Sequence, residues 1–504
     1  MTLLFLLLAC GGAGDPDPDR DTDLPADTDL PAGCEDDADC DGSPSDLDCD
    51  DADPAVHPGA AEIWYDGRDG DCAGDSDWDA DADGWSKPGA PDGVPTDCDD
   101  ADPLVNPGVV KNDPAGRIGV PGDLAPTATS YPWSDVFAVS SASERDQHHA
   151  TVAFGADGRF LAVWQLGDLA SSPNGIARLF DGAAPVTGGA QLQERGSQAA
   201  KPDVESWPGG YVVAWEEGSM SRVLISGYGL DGLPTTTPIV ASEGNIIEAP
   251  DLALFADGSG AVVWVESGGT SGEGEHVLQR FGPDLQPVGG RVLIEQAGWT
   301  VAEIATQPDG GLVMVATRKL PELGDHLEVY GRVIASDGCE TSFRADQAES
   351  DGPSRPTLDV GADGRFAVTW RSKVEAGTGA GAYGRFFEAD GTARSDSFQL
   401  SVPGEEANRS VVAYAGTEAI FAWEGHPDPA DFGAPEIVYL WTWDGDAMAP
   451  ASARIAVSEP LGPSAQRPAI SVFEGDDGAV NLVVTWENVG PEVHVAGRII
   501  GIAP

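Results

Sequence analysis

The chain has 504 residues, with 85 Asp and Glu against 27 Lys and Arg and a formal net charge of −58. Without a basic surface it cannot displace counterions from phosphates, which excludes a nucleic-acid-binding protein, and it is not drawn to an anionic membrane surface. Hydrophobic residues make up 41% of the chain and include 14 Trp, which is too much apolar material for a fully disordered protein.

The negative charge is unevenly distributed along the sequence. Residues 1–108 hold 31 acidic and 3 basic residues, whereas residues 109–504 hold 54 and 24. Nearly half of the net charge therefore lies in the first fifth of the chain, and the two parts need separate explanations.

The first ten residues predict export. Leu3 to Ala9 form an apolar run that is too short to span a membrane, and Cys10 follows directly. This pattern resembles a bacterial lipoprotein signal, in which cleavage before Cys10 leaves a diacylglyceryl-modified cysteine. Gly11 follows that cysteine, so the resemblance implies an outer-membrane or cell-surface lipoprotein. The alternative is an ordinary secretory signal and a secreted protein.

The sequence contains seven cysteines, and six remain if Cys10 carries lipid. An even number of cysteines in an exported protein predicts that they form disulfides. The absence of a CxxC motif argues against a zinc ribbon or a thioredoxin-like site. We expect three pairs, the last by elimination only: Cys34–Cys40, Cys49–Cys72 and Cys98–Cys339.

Residues 11–45 are predicted to form a disordered stalk. They contain the tandem repeat DTDLPA-DTDLPA and are rich in Pro and acidic residues. Such a composition repels itself and favours an extended chain.

Residues 46–108 form a distinct aspartate-rich module. DLDCDDADPAVHPG recurs in part as PTDCDDADPLVNPG, and between the copies five aspartates alternate before Gly84. Like charges at this density repel unless a hard divalent cation, which binds six to eight oxygens, neutralises them. DADADG matches the first half of an EF-hand loop but lacks its later Glu and its helices. The candidate metal ligands are Asp46, Asp48, Asp50, Asp51, Asp53, Asp66, Asp69, Asp71, Asp75, Asp77, Asp79, Asp81, Asp83, Asp97, Asp99, Asp100 and Asp102.

The module resembles the metal-binding motif of the MopE-type family, which is common in bacterial surface lipoproteins. The resemblance rests on four successive patterns: DCDDxDPxVxPGAxE, DGxDxDCxG, DxDxDGW and a second DCDDxDPxVxPG. The aspartate run also resembles the calcium-loaded repeats of thrombospondin type 3 modules. The resemblance implies metal binding by these aspartates. One departure is that no cysteine stands just before Asp66, where many family members have one, which leaves the disulfide assignment open.

Aspartate oxygens are hard ligands, so we expect several calcium ions. Copper is disfavoured because it prefers imidazole and sulfur, and His57 is the only histidine in the module. The alternative is an acidic solvated spacer without a specific metal.

Seven copies of one theme follow a linker at residues 109–134. Each copy has a short strand, a turn with Asp-Gly or Gly-Gly, an alternating apolar strand that ends at an anchor residue, and further short strands. A period near 50 residues with four strands per unit predicts an all-β protein with a seven-bladed β-propeller over residues 135–504. Six blades with a degenerate seventh, or a β-sandwich array, are the alternatives. The anchors are Trp164, Trp215, Trp264, Ala316, Trp370, Trp423 and Trp486.

The seventh copy lacks a fourth strand, and residues 136–140 (VFAVS) supply a matching one ahead of the first copy. We expect this N-terminal strand to close the last blade and so to remove exposed edges. The recurring Trp could form a carbohydrate platform, but its fixed place on the most apolar strand favours packing between blades. Ala316 predicts looser packing in its blade.

Catalytic motifs such as GxSxG and HExxH are absent from the sequence. The adjacent His148 and His149 point to opposite faces of a strand and are poor joint ligands. Propellers do host hydrolases and lyases, so the fold alone excludes no activity. The other histidines of the propeller region hold no fixed blade position: His276, His326, His426 and His494.

We therefore expect a non-enzymatic surface lipoprotein that binds divalent metal ions and displays its propeller to a protein or glycan ligand. The first alternative is a secreted polysaccharide-active hydrolase or lyase that uses the propeller channel. The second alternative is a metal buffer or scavenger, in which the module is the functional part.

Overall fold

The fold is known from a computed structural model, and its compact parts are two units, Met1–Ala82 and Asp83–Pro504, which are treated separately. The described residues contain strands and turns and no helix, so none of them forms a helix able to cross a membrane. The residues described are 36–74, 76–80, 86–87, 110–111, 133–140, 146–167, 174–192, 198–218, 222–243, 246–268, 273–297, 302–320, 326–346, 351–373, 380–402, 405–426, 435–458, 464–475, 478–490 and 493–502.

The first unit consists of hydrogen-bonded turns rather than strands in its described part. Among its described residues Val56 is the single buried hydrophobic side chain. Asp36 to Ser45, within the segment predicted as stalk, hydrogen-bond onto the module: the N–H of Ala38 donates to Asp51 Oδ1 at 2.9 Å. With one buried apolar side chain, the described part of this unit depends on polar contacts and covalent links.

The second unit is an all-β propeller of seven antiparallel blades, as predicted. Two short strands, β1 (Val110–Lys111) and β2 (Phe137–Ala138), precede the blades. Blade 1 comprises β3 (Gln147–Phe154), β4 (Phe160–Leu166), β5 (Asn174–Asp181), β6 (Ala184–Pro185) and β7 (Ala190–Gln191). Blade 2 comprises β8 (Ala200–Trp207), β9 (Gly210–Glu217), β10 (Arg222–Gly229) and β11 (Ile239–Glu243). Blade 3 comprises β12 (Ile246–Leu254), β13 (Gly260–Gly268), β14 (Glu273–Phe281) and β15 (Pro287–Ala297).

The remaining four blades repeat this arrangement. Blade 4 comprises β16 (Glu303–Thr306), β17 (Leu312–Leu320), β18 (His326–Ile334) and β19 (Glu340–Arg344). Blade 5 comprises β20 (Asp351–Val360), β21 (Phe366–Lys373), β22 (Ala380–Phe387) and β23 (Phe398–Gln399). Blade 6 comprises β24 (Glu406–Ala415), β25 (Glu418–His426), β26 (Ile437–Asp444), β27 (Ala449–Pro450) and β28 (Ile455–Ala456). Blade 7 comprises β29 (Ser464–Glu474), β30 (Val480–Val489) and β31 (Val493–Ile502).

The first strand of each blade lies next to the first strand of the following blade, and β29 of blade 7 lies next to β3 of blade 1. These seven strands therefore surround the central channel. The predicted closure is confirmed, because β2 pairs antiparallel with β31, Phe137 opposite Gly497. The sequence did not predict β1, which adds a parallel strand to β19 at the outer edge of blade 4.

The anchor tryptophans pack between blades, as predicted. All six are at most 1% exposed. Trp215 of blade 2 lies in one apolar cluster with Leu161 and Val163 of blade 1, and Trp423 of blade 6 lies with Ala367 of blade 5. At the anchor position of blade 4, Ala316 is fully buried beside Tyr330, with which it pairs in register.

The Asp-Gly turns join the first and second strands. In blade 3, Phe255 donates its N–H to the carbonyl of Ser259 at 2.8 Å, and Asp257 Oδ1 accepts the N–H of Ser259 at 2.9 Å. Gly258 has φ +84°, in the left-handed region that a residue with a side chain rarely adopts. Asp and Gly are therefore required by the local geometry of the hairpin.

Candidate metal centre

Three carboxylates of the first unit converge. Asp39, Asp41 and Asp48 each offer an oxygen, and these oxygens lie within 4.8 Å of one another. In all three residues Oδ1 accepts the N–H of the residue two positions later, at 3.3, 2.7 and 2.9 Å respectively. The Oδ2 atoms are buried and accept no hydrogen bond from the described part of the chain. A cation held by these oxygens would compensate for the donors that they lack.

The electrostatics of this cluster favour a cation. Burial raises the pKa of Asp39, and the charges of Asp41, Asp48 and Asp37 raise it further, against the hydrogen bond from the Asp41 N–H. The Asp39 side chain lies near the surface, and its immediate neighbours shield Oδ2 from water. Charge repulsion of this kind is relieved when a divalent ion binds.

Asp39 also belongs to an adjoining group with Asp37 and Asp51, whose oxygens lie within 4.8 Å of one another. Here the carboxylates already accept hydrogen bonds. Asp37 accepts the N–H of Cys40 at 2.6 Å, and Asp51 accepts the hydroxyl of Ser45 at 2.6 Å. These bonds hold Asp37 and Asp51 beside Asp39, so the two groups form one continuous acidic site, which we call the Asp39 site (Asp37, Asp39, Asp41, Asp48 and Asp51).

A separate group contains Glu62, Asp69 and Asp71. Glu62 Oε2 accepts the N–H groups of Gly70 and Asp71 at 2.8 and 3.1 Å. Asp69 accepts the N–H groups of Ala73 and Gly74. Backbone N–H groups already donate to most of these oxygens, so this group stabilises a turn. A cation would therefore add less stabilisation here than at the Asp39 site.

The Cys49–Cys72 disulfide, which the sequence predicted, joins the Asp48 segment to the Asp69–Asp71 loop across 23 residues. Asp48, Cys49 and Cys72 also lie close together, but a disulfide sulfur is not a thiolate and is a poor metal ligand. Cys40 and Cys339 are disulfide-bonded as well. Their predicted partners, Cys34 and Cys98, lie outside the described residues, and so does Cys10, so these pairings and the lipidation stay predictions.

The structure distributes the predicted aspartates among several roles. Asp48 and Asp51 are in the Asp39 site, and Asp69 and Asp71 are in the Glu62 group. Asp50 and Asp53 form ion pairs with Arg68 at 3.3 and 2.8 Å. Two more accept backbone hydrogen bonds: Asp66 from the N–H of Arg68, and Asp77 from the N–H groups of Tyr65 and Gly67. Asp46 and Asp79 lie outside the acidic groups of the described segment. Outside the described residues are Asp75, Asp81, Asp83, Asp97, Asp99, Asp100 and Asp102.

Sequence reasoning did not select four residues that these groups contain, Asp37, Asp39, Asp41 and Glu62. A signal was present for the first three, because DDADCD has the same alternation of aspartates as the run before Gly84. Glu62 is the fixed Glu at the end of the pattern DCDDxDPxVxPGAxE, but its proximity to Asp69 arises only from the fold.

The channel of the second unit has carboxylates of its own. Three of them accept the N–H of a residue in the next blade: Asp203 that of Leu252 at 3.0 Å, Asp251 that of Ile304 at 2.7 Å, and Asp359 that of Tyr414 at 2.7 Å. Burial raises the pKa of Asp203 and Asp359 to about 6 and that of Glu303 to about 8. The Glu205 side chain is exposed to the channel, and the surrounding strands partly desolvate it. This desolvation, and then repulsion by Asp203, Asp359 and Glu303, raise the pKa of Glu205.

The histidines of the propeller are dispersed. His148 Nδ1 lies 3.1 Å from Glu487 Oε2, and His494 Nε2 lies 3.3 Å from Asn488 Nδ2. His276 is buried in blade 3. His326 and His426 lie at a strand start in blade 4 and a strand end in blade 6, so the described histidines do not share one position in the blades.

Comparison with known proteins identifies the acidic segment. Residues 48–77 and 97–110 match the family described as "Putative metal-binding motif", of the copper-binding MopE type. A search of curated proteins finds no match.

Solved structures resemble the chain at low identity. A protein of unknown function from Dyadobacter fermentans is 10% identical, with 74% of this chain and 99% of that chain covered and a TM-score of 0.46. The β-propeller domain of the Trilobed protease from Pyrococcus furiosus is 13% identical, with 71% and 94% covered and a TM-score of 0.41. The sialidase of Trypanosoma rangeli in complex with the inhibitor DANA is 12% identical, with 75% and 60% covered and a TM-score of 0.38. Likeness at this level carries no argument about activity.

The chain thus combines a MopE-type metal-binding motif with a seven-bladed β-propeller that follows it.

Proposed function

We propose that this chain is an exported surface lipoprotein whose aspartate-rich module is organised by calcium and whose propeller is displayed to bind a protein or glycan ligand, without catalysis. The observation that carries the metal part is that Asp39, Asp41 and Asp48 bring carboxylate oxygens within 4.8 Å of one another, and each has a buried Oδ2 that accepts no hydrogen bond from the described residues. The apolar run before Cys10 supports the lipoprotein part.

Calcium suits the donors better than copper does. The Asp39 site offers only carboxylate oxygens, which are hard ligands, and calcium accepts six to eight oxygens at flexible geometry. Copper prefers imidazole and sulfur. His57 lies outside the acidic groups, with Nδ1 3.3 Å from the carbonyl of Pro58.

The metal would be structural. The described part of the first unit has one buried hydrophobic side chain, Val56, so apolar burial contributes little to its stability. An ion that binds only the folded unit stabilises it by mass action, and repulsion among the carboxylates opens the unit when the ion is removed.

The test is a metal titration of the full chain after treatment with a chelator. Isothermal titration calorimetry should show saturable binding of Ca²⁺, and limited proteolysis should show that Ca²⁺ protects residues 36–80. His57→Gln is the matched control and should not change either result. Tighter binding of Cu²⁺ that is lost in His57→Gln, or a module equally resistant to protease with and without chelator, would contradict the proposal. Many weak sites without protection would favour a metal buffer.

A second candidate function, a polysaccharide-active hydrolase or lyase, is favoured by one observation. Glu205 and Glu303 lie among other acids on the first strands, and the pKa of each is raised by desolvation and by Asp203. Protonated and ionised carboxylates near one another can act as acid and base. Incubation with a panel of glycans separates the two functions, because binding retains the glycan unchanged, whereas catalysis releases product that Glu303→Gln abolishes.

A further inference from the structure

One position at the start of the first strand is equivalent in six blades, and in blade 4 it lies outside the described residues. In blade 5, Thr357 pairs with Thr369, which precedes the anchor Trp370, and the equivalent position lies two residues before Thr357, at Arg355. The same rule selects a basic residue in five blades, which we call the basic ring: His149, Lys201, Arg355, Arg409 and Arg467.

This enrichment goes against the composition of the chain. Only 27 Lys and Arg and 7 His occur among 504 residues, so a random set of seven positions would contain fewer than one basic residue. The equivalent position of blade 3 carries Ala249, and that of blade 4 lies outside the described residues. Since all first strands run in the same direction around the axis, the ring lies at one mouth of the channel.

The backbone at the ring is fixed in an unusual conformation. His149, Lys201, Arg355 and Arg467 have φ between 46° and 54°, the left-handed region that residues with a side chain seldom occupy. The residue after the anchor Trp of the preceding blade holds this backbone. Gln165 accepts the N–H of Lys201 at 3.1 Å, and Glu487 accepts that of His149 at 2.8 Å. The same hydrogen bond joins Glu424 to the N–H of Arg467.

The side chains of two arginines at this mouth have no carboxylate partner among the described residues. The side chains of Arg409, and of Arg371 next to the anchor Trp370, form no hydrogen bond or ion pair with any residue in the described segments. Arg467, by contrast, donates to Glu487 at 3.2 Å, and Lys201 lies 3.9 Å from Glu216. In a chain with a threefold excess of acids, arginines without a carboxylate partner indicate a place for a ligand anion.

The ring residues act on one another through their charges. Burial, and then the charges of Arg467 and Arg355, lower the pKa of Arg409 to about 10, against the opposite effect of the Glu424 and Glu487 charges. Burial and the charge of Arg467 hold the pKa of His149 far below its usual value, so that this imidazole is neutral. An anion bound among these groups would relieve the repulsion.

We propose that the basic ring, together with Arg371, binds the oxyanion group, a carboxylate or a sulfate, of a small anionic ligand at this mouth of the channel. The inference deepens the proposed function by naming the ligand class, and it rests on the propeller being a binding domain. A guanidinium group can donate two parallel hydrogen bonds to two oxygens of a carboxylate or of a sulfate. The buried Glu424 and Glu487 fix the surrounding backbone without neutralising Arg409 and Arg371 by direct contact.

Isothermal titration calorimetry of the full chain at low ionic strength tests this inference, with glucuronate as the carboxylate probe, sodium sulfate as the sulfate probe and glucose as the neutral control. We expect saturable binding of at least one anion, weakened by added NaCl, and no binding of glucose. Arg409→Gln and Arg371→Gln should each weaken that binding about tenfold or more, since each removes a charge-assisted hydrogen bond.

The matched control is Arg280→Gln on β14, because the Arg280 side chain likewise forms no hydrogen bond or ion pair with a described residue and lies outside the ring. It should bind the anion as the unaltered chain does. If Arg409→Gln fails to fold by circular dichroism, Arg371→Gln carries the test. Absence of saturable binding of both anions, or equal affinity in the two ring variants and the control, would overturn the inference. Retention of a neutral glycan or a protein in that case would leave the proposed function standing.

Discussion

Glu487 of blade 7 accepts a hydrogen bond at 2.8 Å from the N–H of His149 in blade 1, 338 residues earlier in the chain. Its side chain is buried and also lies 3.1 Å from His148 Nδ1 and 3.2 Å from Arg467 Nη1. One carboxylate therefore joins the last blade to the first. The chain is also closed there by β2, which precedes blade 1 and pairs with β31 of blade 7.

Glu487→Ala should lower the free energy of unfolding by about 2–4 kcal/mol, because it leaves buried donors and the Arg467 charge without their acceptor. Urea unfolding measures this loss, and hydrogen exchange should show that β3 and β29 gain the most exchange. Glu474→Ala is the control, at the exposed end of the same blade's first strand. Equal stability of the two variants would mean that Glu487 does not hold the ring closed.

Trp215→Ala should destabilise the propeller by about 3–5 kcal/mol, because the side chain is fully buried between blades 1 and 2. Trp133→Ala is the matched control. Trp133 is 48% exposed and contacts Arg498 through its ring face at 4.7 Å, so its loss should cost about 1 kcal/mol or less. Thermal or urea unfolding of both variants checks the difference, and similar losses would argue against packing as the role of the anchors.

Asp48→Asn and Asp39→Asn should each weaken calcium binding about tenfold or more, since each removes a charged oxygen from the Asp39 site. Asp46→Asn is the control, because Asp46 is exposed and lies outside the acidic groups in the described segment. Calorimetric titration with Ca²⁺ gives the three affinities. If Asp46→Asn weakens binding as much as Asp48→Asn does, the acidity of the segment rather than this site determines the affinity.

Replacing both Cys49 and Cys72 with Ala should destabilise the first unit by about 3 kcal/mol, as expected when a disulfide that closes a 23-residue separation is lost. Limited proteolysis should then cut between residues 36 and 80, and a higher Ca²⁺ concentration should restore protection. The urea transition of the propeller is the internal control and should not move. A module that remains resistant without this disulfide would show that the remaining contacts suffice.

The channel acids should make the propeller less stable as the pH rises. Burial raises the pKa of Asp203 to about 6 and that of Glu303 to about 8. A carboxyl group with a raised pKa in the folded state contributes its stabilisation below its unfolded pKa, near pH 4, and loses it as the pH rises through the folded pKa. Each proton that only the folded state retains changes the stability by about 1.4 kcal/mol per pH unit.

Glu303→Gln removes one such group and should flatten the pH profile between about pH 5 and pH 8. Urea midpoints at a series of pH values measure the slope, with Glu474→Gln, at the exposed end of β29, as the control. An unchanged slope in Glu303→Gln would show that water in the channel already solvates this carboxylate.

Much of the fold could be predicted from the sequence, because the signals are local and repeated. Alternating apolar residues, Asp-Gly turns and an anchor every 49–63 residues specify four-stranded blades, and residues 136–140 supply the strand that the last blade lacks. The Cys49–Cys72 pair and the MopE-type motif were also evident. By contrast, β1 was not predictable, since two residues of backbone pairing leave no pattern.

The sites depended on tertiary structure. The sequence alone determined that acidic oxygens are dense enough to need a cation. Turns and hydrogen bonds between distant residues decided that the carboxylates of Asp39, Asp41 and Asp48 converge, each with a buried Oδ2 that no described donor satisfies. Likewise the sequence contains the basic ring as single residues separated by 52 to 154 positions, which form no local pattern in a chain of net charge −58. Only closure of the seven blades brings Arg355, Arg409 and Arg467 to one mouth, because strand register, and not proximity in the chain, sets which residues share that end.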